Sequence, residues 1–329
     1  MTREGIEVME REGLVRVRIS MRPPLRWVNS YILRGEEGIT IVDPGPRSER
    51  SEDEWDAAWR ELGISPRDIA SIVLTHHHPD HYGLAGYLQS ITGARVYMSR
   101  RSHEETKRMW GEDSVMNEAL YTLYRSHGLS AAWLEQLPAH MESFLPEVTP
   151  APVVTYLADG DRVEMGGRTW VAIETAGHAP GHLSFYDAER GFMLCGDAVL
   201  PQISPNVSLL PGSDPEPLRS FLNSLRKLEA YEVAMAFPGH RNPFPHFSER
   251  VRALLSHHEE RLAAIEALLS ERERSGFDVC AALFGNELGI HQMRFAMSET
   301  LAHLTELVRR ERAAEIAGPG GSRVFRILA

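Results

Sequence analysis

A short run of histidines and one aspartate in the first third of the chain has the spacing of metal ligands. Residues 69–74 form an apolar run typical of a buried strand, and they lead directly into Thr75-His76-His77-His78-Pro79-Asp80-His81. In an extended chain, residues two apart point the same way, so His76 and His78 are placed to bind one metal ion together. Asp80 and His81 begin the next predicted helix and are aimed at a second position. The run therefore predicts four ligands for two adjacent ions.

Three further histidine or aspartate clusters each follow a predicted strand. In chain order they are Gly177-His178 with Gly181-His182, then Gly196-Asp197, then Gly239-His240. Strand ends meet at one edge of a sheet, where sites of α/β proteins usually form, so we expect these side chains to converge. Histidine and carboxylate are ligands that borderline divalent metals prefer. A single histidine is by default a surface or core residue, and the prediction depends on the clustering.

The elements that would position these clusters form two comparable blocks of strands and helices. Alternating or apolar runs predict strands at residues 15–19, 31–33, 38–42, 69–74 and 95–98, then around 163 and at 169–174, 183–186, 192–194 and 233–237. Apolar residues at helical spacing predict helices around residues 55–62, 84–91 and 218–225. Alternation of the two element types favours a layered α/β architecture.

The segment of about residues 102–150 departs from this pattern. It is predicted to be helical and carries large side chains, among them Trp110 and Tyr121. One hypothesis is a lid or substrate pocket, because aromatic and methionine surfaces suit apolar ligands. The alternative is ordinary helix packing, and periodicity does not separate the two.

A second domain is predicted at residues 256–329, after a catalytic domain at residues 1–255. Three helices followed by a β-hairpin are typical of a winged helix. Winged helices often bind DNA, but residues 256–329 carry 11 acidic and 9 basic side chains. This net charge of −2 provides no basic face, so a packing or dimerisation role is favoured.

Composition limits the partners and the location. The formal charge of −11 disfavours a nucleic-acid partner without excluding one, because phosphate binding recruits Lys and Arg. No apolar run approaches the roughly 20 residues that a membrane span needs, and the charged N-terminal residues lack the apolar core of a secretory signal. The two cysteines, Cys195 and Cys280, form no disulfide framework. We therefore expect a cytoplasmic protein, with a homodimer as the default assembly.

With these residues the chain resembles the metallo-β-lactamase superfamily, whose HxHxDH signature is matched by His76, His78, Asp80 and His81. The resemblance implies a four-layer αββα sandwich of the α/β (α+β) class, the metallo-β-lactamase fold, with the small winged-helix-like domain appended. It also implies a first metal held by His76, His78 and His178, and a second held by Asp80, His81 and His240, with Asp197 bridging both. Asp43 and His182 would support these ligands rather than bind a metal, and His77 would face away.

The expected chemistry is hydrolysis without a serine or cysteine nucleophile. Two divalent ions about 3.5–4 Å apart lower the pKa of a shared water toward roughly 7 and stabilise the oxyanion that forms. Asp80 is the candidate catalytic residue, orienting the hydroxide and carrying its proton to the leaving group. Zinc is the expected metal, with manganese or iron as alternatives.

The ligand set narrows the reaction but does not identify a substrate. Family β-lactamases generally lack the bridging aspartate, so Asp197 argues against antibiotic hydrolysis. A small ester, thioester or lactone is favoured, with Asn206, Phe244, Trp110 and Tyr121 as candidate pocket residues. The alternative is a metal-dependent endoribonuclease or phosphodiesterase acting on single-stranded RNA, because some lactamase-like proteins with such an appended domain cleave RNA. A non-enzymatic binding protein is disfavoured, because such proteins usually lose ligands and none is lost here.

Overall fold

The strands of the first half of the chain form one sheet in chain order. The computed structural model describes residues 5–328, and the sheet consists of β1 (Ile6–Met9), β2 (Leu14–Ser20), β3 (Trp27–Gly35), β4 (Gly38–Val42), β5 (Ile69–Val73), β6 (Arg95–Ser99) and β7 (Val154–Leu157). Strands β1 to β4 pair antiparallel, whereas β4 to β7 run parallel. Along the chain, α1 (Glu49–Leu62) connects β4 to β5, and α2 (Pro79–Tyr82) and α3 (Ala85–Thr92) connect β5 to β6.

The second sheet is built from the middle of the chain. Its strands are β8 (Arg162–Met165), β9 (Arg168–Glu174), β10 (Leu183–Asp187), β11 (Phe192–Gly196) and β12 (Met235–Pro238). They lie in the order β12-β11-β10-β9-β8, and the one parallel pair, β11 with β12, is connected through α8 (Pro217–Leu228).

Alternating side chains of both sheets build the layers. Tyr31 and Leu33 of β3 pack with Trp170 and Phe185 of the second sheet in a core between the two sheets. The opposite face of the first sheet, which includes Ile32, packs against α1 and α3. The opposite face of the second sheet packs against α8. This is the four-layer αββα sandwich that the family resemblance implies.

The predicted helical insertion is confirmed as helical. It contains α4 (Arg100–Trp110), α5 (Met116–Ser126), α6 (Ala131–Leu134), α7 (Leu137–Glu142) and a 3-10 turn at Leu145–Val148. Many of its large side chains, including Met116 and Tyr124, are buried in the core that also holds α8 and the C-terminal helices. The Tyr124 hydroxyl donates to the carbonyl oxygen of Arg294 at 3.1 Å. For these side chains, ordinary helix packing is the correct interpretation.

The C-terminal part has the predicted order of helices and hairpin. It comprises α9 (Phe247–Glu271), β13 (Arg274–Ser275), α10 (Gly276–Phe284), α11 (Ile290–Arg309), β14 (Ala313–Ala317) and β15 (Arg323–Ile327), with a small sheet ordered β13-β15-β14. Helix α9 is continuous across the predicted boundary at residues 255 and 256, and its core is shared with α8. The ends of the two predicted domains, residues 1–4 and 329, lie outside the described residues. Across residues 5–328, no helix is both long and apolar enough to cross a membrane.

Candidate metal centre

The loop after β5 is anchored by an aspartate at the end of the neighbouring strand. Asp43 follows β4 and adopts φ +52, a left-handed conformation that aspartate tolerates better than most residues. Its Oδ1 accepts from the Thr75 backbone N–H at 2.8 Å, and its Oδ2 accepts from the Thr75 hydroxyl at 2.7 Å. The same Oδ2 lies 2.9 Å from Nδ1 of His81. One carboxylate therefore fixes the loop and turns Nε2 of His81 toward the centre.

Hydrogen bonds also hold the ligands in the loops after β9 and β11. Nδ1 of His178 lies 2.7 Å from the carbonyl oxygen of Asn206, which leaves its Nε2 facing inward. The backbone N–H of Asp197 donates to Nε2 of His182 at 3.2 Å, and the other ring nitrogen of His182 lies 2.8 Å from the Thr175 hydroxyl. His182 therefore contacts the backbone of Asp197 and the Thr175 side chain.

The loop after β12 carries the last histidine and is tied to β3. Nδ1 of His240 lies 3.1 Å from the carbonyl oxygen of Trp27. The side-chain amide of Asn29 donates to the carbonyl oxygens of Pro238 and Arg241, at 2.9 and 2.7 Å. These bonds hold His240 with its Nε2 pointed at the two aspartates.

The four loops converge at one edge of the sandwich. Their ligand atoms fall into three groups within which the atoms lie no more than 4.8 Å apart: His76, His78 and His178; His76, His81 and Asp197; and Asp80, His81 and His240. The Asp197 carboxylate lies 3.5 Å from Nε2 of His81, 3.6 Å from Nε2 of His178 and 3.3 Å from Nε2 of His240. Asp197 is thus central to the set, as a bridging ligand would be. We call these seven residues the metal cluster.

The metal cluster fits divalent ions because three of its inward atoms have no hydrogen-bond partner among the described residues. Nε2 of His81, Nε2 of His178 and Oδ1 of Asp197 are buried and accept or donate no hydrogen bond to any described residue. Buried polar atoms are almost always paired, and leaving one unpaired costs about 1–3 kcal/mol. A Cβ at Gly239 would lie 2.3 Å from Oδ1 of Asp197, so a side chain there would enter this space. The donor set and the space together match two divalent ions.

Charges in the metal cluster favour the protonation states that Asp197 and His76 need as ligands. Burial raises the pKa of the Asp197 carboxyl, but His240 and His81 outweigh burial and hold the pKa well below its usual range. Burial and the neighbouring imidazoles of His81 and His78 lower the pKa of His76 well below its usual value. Asp197 is therefore ionised and His76 neutral near pH 7, as metal coordination requires.

Three other residues singled out from the sequence, His77, Asn206 and Trp110, differ in how they relate to the metal cluster. His77 is buried and is not part of any ligand group among the described residues. Asn206 touches the cluster through its backbone, since its carbonyl oxygen holds His178. Trp110 packs against Phe144 with tilted rings whose centroids lie 5.7 Å apart.

Two pocket predictions have no support in the contacts. Phe244 is only 3% exposed, pairs with Ala236 through its backbone and packs on Phe247. It is a core residue. Tyr121 lies on the outer side of α5, 36% exposed, and within residues 5–328 no hydrogen bond or ring contact joins it to the metal cluster. Periodicity places a side chain on a helix but not the helix against a site.

Sequence reasoning missed several residues that hold the ligands. Thr75 bonds Asp43 and also lies 2.9 Å from Nδ1 of His76. Asn29 ties the His240 loop to β3. The available signal was the polar pair Asn29-Ser30 directly before the apolar run at residues 31–33, because buried polar side chains need partners.

Comparison with known protein families shows to which family the chain belongs. A family model described as Metallo-beta-lactamase superfamily matches residues 25–240. The chain belongs to the metallo-β-lactamase superfamily. A second family model, described as Metallo-beta-lactamase-like, C-terminal domain, matches residues 262–327. The resemblance stated from the HxHxDH run is therefore confirmed, and the appended part is of a kind that accompanies this fold.

Individual members of the superfamily resemble most of the chain. The crystal structure of the metallo-beta-lactamase family protein TTHA1429 from Thermus thermophilus is 32% identical, with a TM-score of 0.85, and the match covers 96% of this chain and 99% of that one. Probable metallo-hydrolase YqjP of Bacillus subtilis (strain 168) is 24% identical over 310 residues, 92% of this chain and 94% of the relative. The atrochrysone carboxyl ACP thioesterase of Aspergillus fumigatus is 22% identical over 257 residues, 77% of this chain and 64% of the relative.

Membership and geometry agree on the class of protein. The superfamily match, the named metallo-hydrolase relative and the converging His and Asp side chains identify a metal-dependent hydrolase that uses divalent metal ions.

Proposed function

We propose that this metallo-β-lactamase superfamily member hydrolyses a small ester, thioester or lactone at a dinuclear zinc centre. The observation that carries the proposal is the set of buried, unpartnered inward atoms of His81, His178 and Asp197. They lie where a pair of ions and a substrate carbonyl would meet.

The ligand assignment follows the grouping of the side chains. His76, His78 and His178 would hold one ion, and Asp80, His81 and His240 would hold the other. Asp197 would bridge them, since it reaches His178 from the first set and both His81 and His240 from the second. Imidazole-rich sites with carboxylates suit zinc, which is why zinc is proposed ahead of manganese and iron.

When bound, such a pair of ions supplies hydroxide near neutral pH and stabilises negative charge that develops on the substrate oxygen. The protein contributes the positions and the proton transfers. The Asp80 side chain is 19% exposed, against 7% for Asp197, so it is the cluster carboxylate that faces the open side. Burial raises its pKa, but His81 and His240 outweigh burial and leave the pKa below its ordinary value. Asp80 is thus ionised, and in this proposal it would take a proton and pass it to the leaving group.

The surroundings favour a small substrate over a polynucleotide. Helix α11 approaches the cluster closely: the Asn206 side chain donates to Glu299 of α11 at 2.8 Å while its carbonyl oxygen holds His178. The net charge of −11 disfavours a long phosphate backbone. The resemblance to a named thioesterase supports acyl transfer to water.

The test is turnover by defined metal forms of the enzyme. Protein stripped with a chelator is reloaded with zinc, manganese or iron and assayed on acyl esters, thioesters, lactones and a single-stranded RNA. We expect no turnover by the stripped protein and restored acyl hydrolysis with zinc. RNA cleavage without acyl hydrolysis would overturn the proposal in favour of an endoribonuclease.

A further inference from the structure

A buried arginine without an acidic partner lies on α11, near the mouth of the metal centre. Arg294 is only 8% exposed. Its Nε is buried and unpartnered, and across residues 5–328 its guanidinium forms neither a hydrogen bond nor an ion pair. Arginine stays charged in proteins, and an uncompensated buried charge is strongly unfavourable. Such a group is expected where an anionic ligand completes the site.

The arginine is held in place by aromatic rings. Its Cζ lies 4.2 Å from the ring centroid of Phe295 and 5.8 Å from that of Phe144. Cation–π contacts of this kind fix a guanidinium plane without neutralising its charge. The head group therefore remains available for two parallel hydrogen bonds to a carboxylate or phosphate.

Further donors surround the same space. The rings of His140 and His291 lie 5.5 Å apart, and that of His291 lies 4.9 Å from Phe295. Nε2 of His140 is buried without a partner among residues 5–328. Burial and Arg294 lower the pKa of His140 to about 4, and the same two causes lower the pKa of His291 to about 4. Both rings are therefore neutral near pH 7 and are able to donate one hydrogen bond each.

Arg22 lies at the exposed side of these rings. Arg22, whose side chain is about half exposed, stacks on Phe144 with its Cζ 5.1 Å from the ring centroid. It forms an ion pair with Glu147 and donates to the Ser143 carbonyl oxygen at 2.8 Å. The Glu147 carboxylate is thus paired with Arg22 and does not neutralise Arg294. We call Arg22, His140, Phe144, His291, Arg294 and Phe295 the arginine pocket.

The arginine pocket adjoins the metal cluster. The Asn206 side-chain amide lies 3.4 Å from the Phe295 carbonyl oxygen, while the Asn206 carbonyl oxygen holds the ligand His178. On the other side, Asp80 is close enough to His291 to act on it electrostatically, opposing the effect of burial on its pKa. A molecule with its scissile bond at the metal cluster would therefore place a neighbouring group in the arginine pocket.

We infer that the arginine pocket binds a carboxylate or phosphate group of the substrate, so that the enzyme selects anionic acyl compounds. This inference rests on the proposed acyl hydrolysis and adds the substrate class. The anion can sit on the acyl side or on the leaving group, and the two sources share the same recognition chemistry.

The test compares matched substrates that differ by one anionic group. On the acyl side the zinc-loaded enzyme is given 4-nitrophenyl hydrogen glutarate against 4-nitrophenyl pentanoate. On the leaving-group side it is given S-acetyl-4′-phosphopantetheine against S-acetylpantetheine. We expect a higher kcat/KM for the anionic member of at least one pair. Arg294→Gln should lower kcat/KM for that member roughly 10- to 100-fold, the effect of losing a charged hydrogen bond, and should change the neutral member little.

Two further variants control the comparison. Arg100→Gln removes an arginine that stacks at the same 4.2 Å, over Tyr156, on an exposed surface, and should leave both rates unchanged. Arg294→Lys keeps the charge but loses the planar fork, so it should fall between wild type and Arg294→Gln, and it serves as the test if the glutamine variant does not fold. Equal losses on both members of each pair, or a wild-type preference for the neutral members, would overturn the inference.

A binding measurement separates this inference from the proposed reaction. Sodium succinate and sodium phosphate should raise the melting temperature of wild type more than that of Arg294→Gln. If neither thioester nor ester is hydrolysed but this difference is present, the proposed reaction fails and the anion pocket stands. If both proteins shift equally, the anions bind elsewhere and the pocket is refuted.

Discussion

Two groups of buried histidines in this protein have opposite electrostatic surroundings. In the metal cluster, His240 lies 3.1 Å from Asp80 and 3.3 Å from Asp197. In the C-terminal part, Nδ1 of His258 lies 3.0 Å from Nε2 of His303. Within the described chain, neither His258 nor His303 forms an ion pair with a carboxylate.

The difference appears directly in the pKa values. Burial lowers the pKa of His240, but Asp197 and Asp80 outweigh it and raise the pKa to about 10. Burial and His303 lower the pKa of His258 to about 2, and burial is the main cause that lowers the pKa of His303 to about 4. The two groups of histidines therefore differ in the carboxylates that lie among them, and we expect metal only in the group that contains carboxylates.

The largest effect on kcat/KM should come from replacing one histidine of the metal cluster, with one histidine of the C-terminal pair replaced as the control. His178→Gln removes a ligand from the metal cluster and should reduce kcat/KM by on the order of 10³-fold, because a metal-bound centre supplies several kcal/mol of charge stabilisation. His303→Gln should leave metal content and kcat/KM near wild type. Metal analysis by mass spectrometry and ester kinetics measure both. Equal metal loss in the two variants would erase the distinction between the groups.

The next effect is the loss of unfolding free energy in acid that the His258–His303 pair should cause. An unfolded histidine has a pKa near 6.5, and the pKa of folded His303 is about 4. The unfolded state thus binds more protons below pH 6.5, so the stabilising contribution is complete above pH 6.5 and is lost as the pH falls toward 4. For His303 alone the loss is on the order of 3 kcal/mol.

A double variant, His258→Leu with His303→Leu, isolates this contribution. It replaces both hydrogen-bonding partners by apolar groups, which is tolerated far better than removing one. Denaturant unfolding at pH 7 and pH 4.5 should show a smaller drop in unfolding free energy for the double variant than for wild type. Metal loss in acid affects both proteins alike, so parallel pH profiles would contradict the assigned role of the pair.

These two groups also show what the sequence predicts and what it does not. The ligands after β5, β9, β11 and β12 were predictable because each follows a strand end, and parallel or neighbouring strand ends share an edge. Edge strands β1 and β7 were not predicted, because each is four residues long and largely exposed, which leaves a weak apolar signal. The arginine pocket was not predictable from periodicity either. Arg294 reaches it only because α11 packs beside the insertion, a contact between segments distant in sequence.

A smaller effect tests the support of the metal cluster. Asp43→Asn keeps a residue that tolerates positive φ but removes the charge that orients His81 and accepts from Thr75. Metal affinity or kcat/KM should fall about 10- to 100-fold. Asp187→Asn is the matched control. Asp187 is a buried aspartate whose carboxylate lies 3.2 Å from the Arg168 guanidinium, and it is not one of the metal ligands or their partners. The kcat/KM of this control should match wild type, and an equal loss in both variants would mean that Asp43 acts only through stability.

The smallest effect is a count of protons. Asp197, Asp80 and Asp43 raise the pKa of His81 well above its ordinary value against the effect of burial, and the pKa of His240 is raised to about 10. Both are therefore protonated near pH 7.5 in the metal-free protein and must lose a proton to bind an ion. Calorimetric zinc titrations in buffers of different ionisation enthalpy should report release of two to three protons, two from these histidines and up to one from the water that becomes hydroxide. Release of none would refute the charge state assigned to the metal cluster.

Anomalous X-ray scattering from crystals of the zinc-loaded protein, measured above and below the zinc absorption edge, tests the central claim most directly. We expect two anomalous peaks, one among His76, His78 and His178 and the other among Asp80, His81 and His240, with Asp197 between them. A map with no peak at these side chains, or with zinc only at the His258–His303 pair, would contradict it.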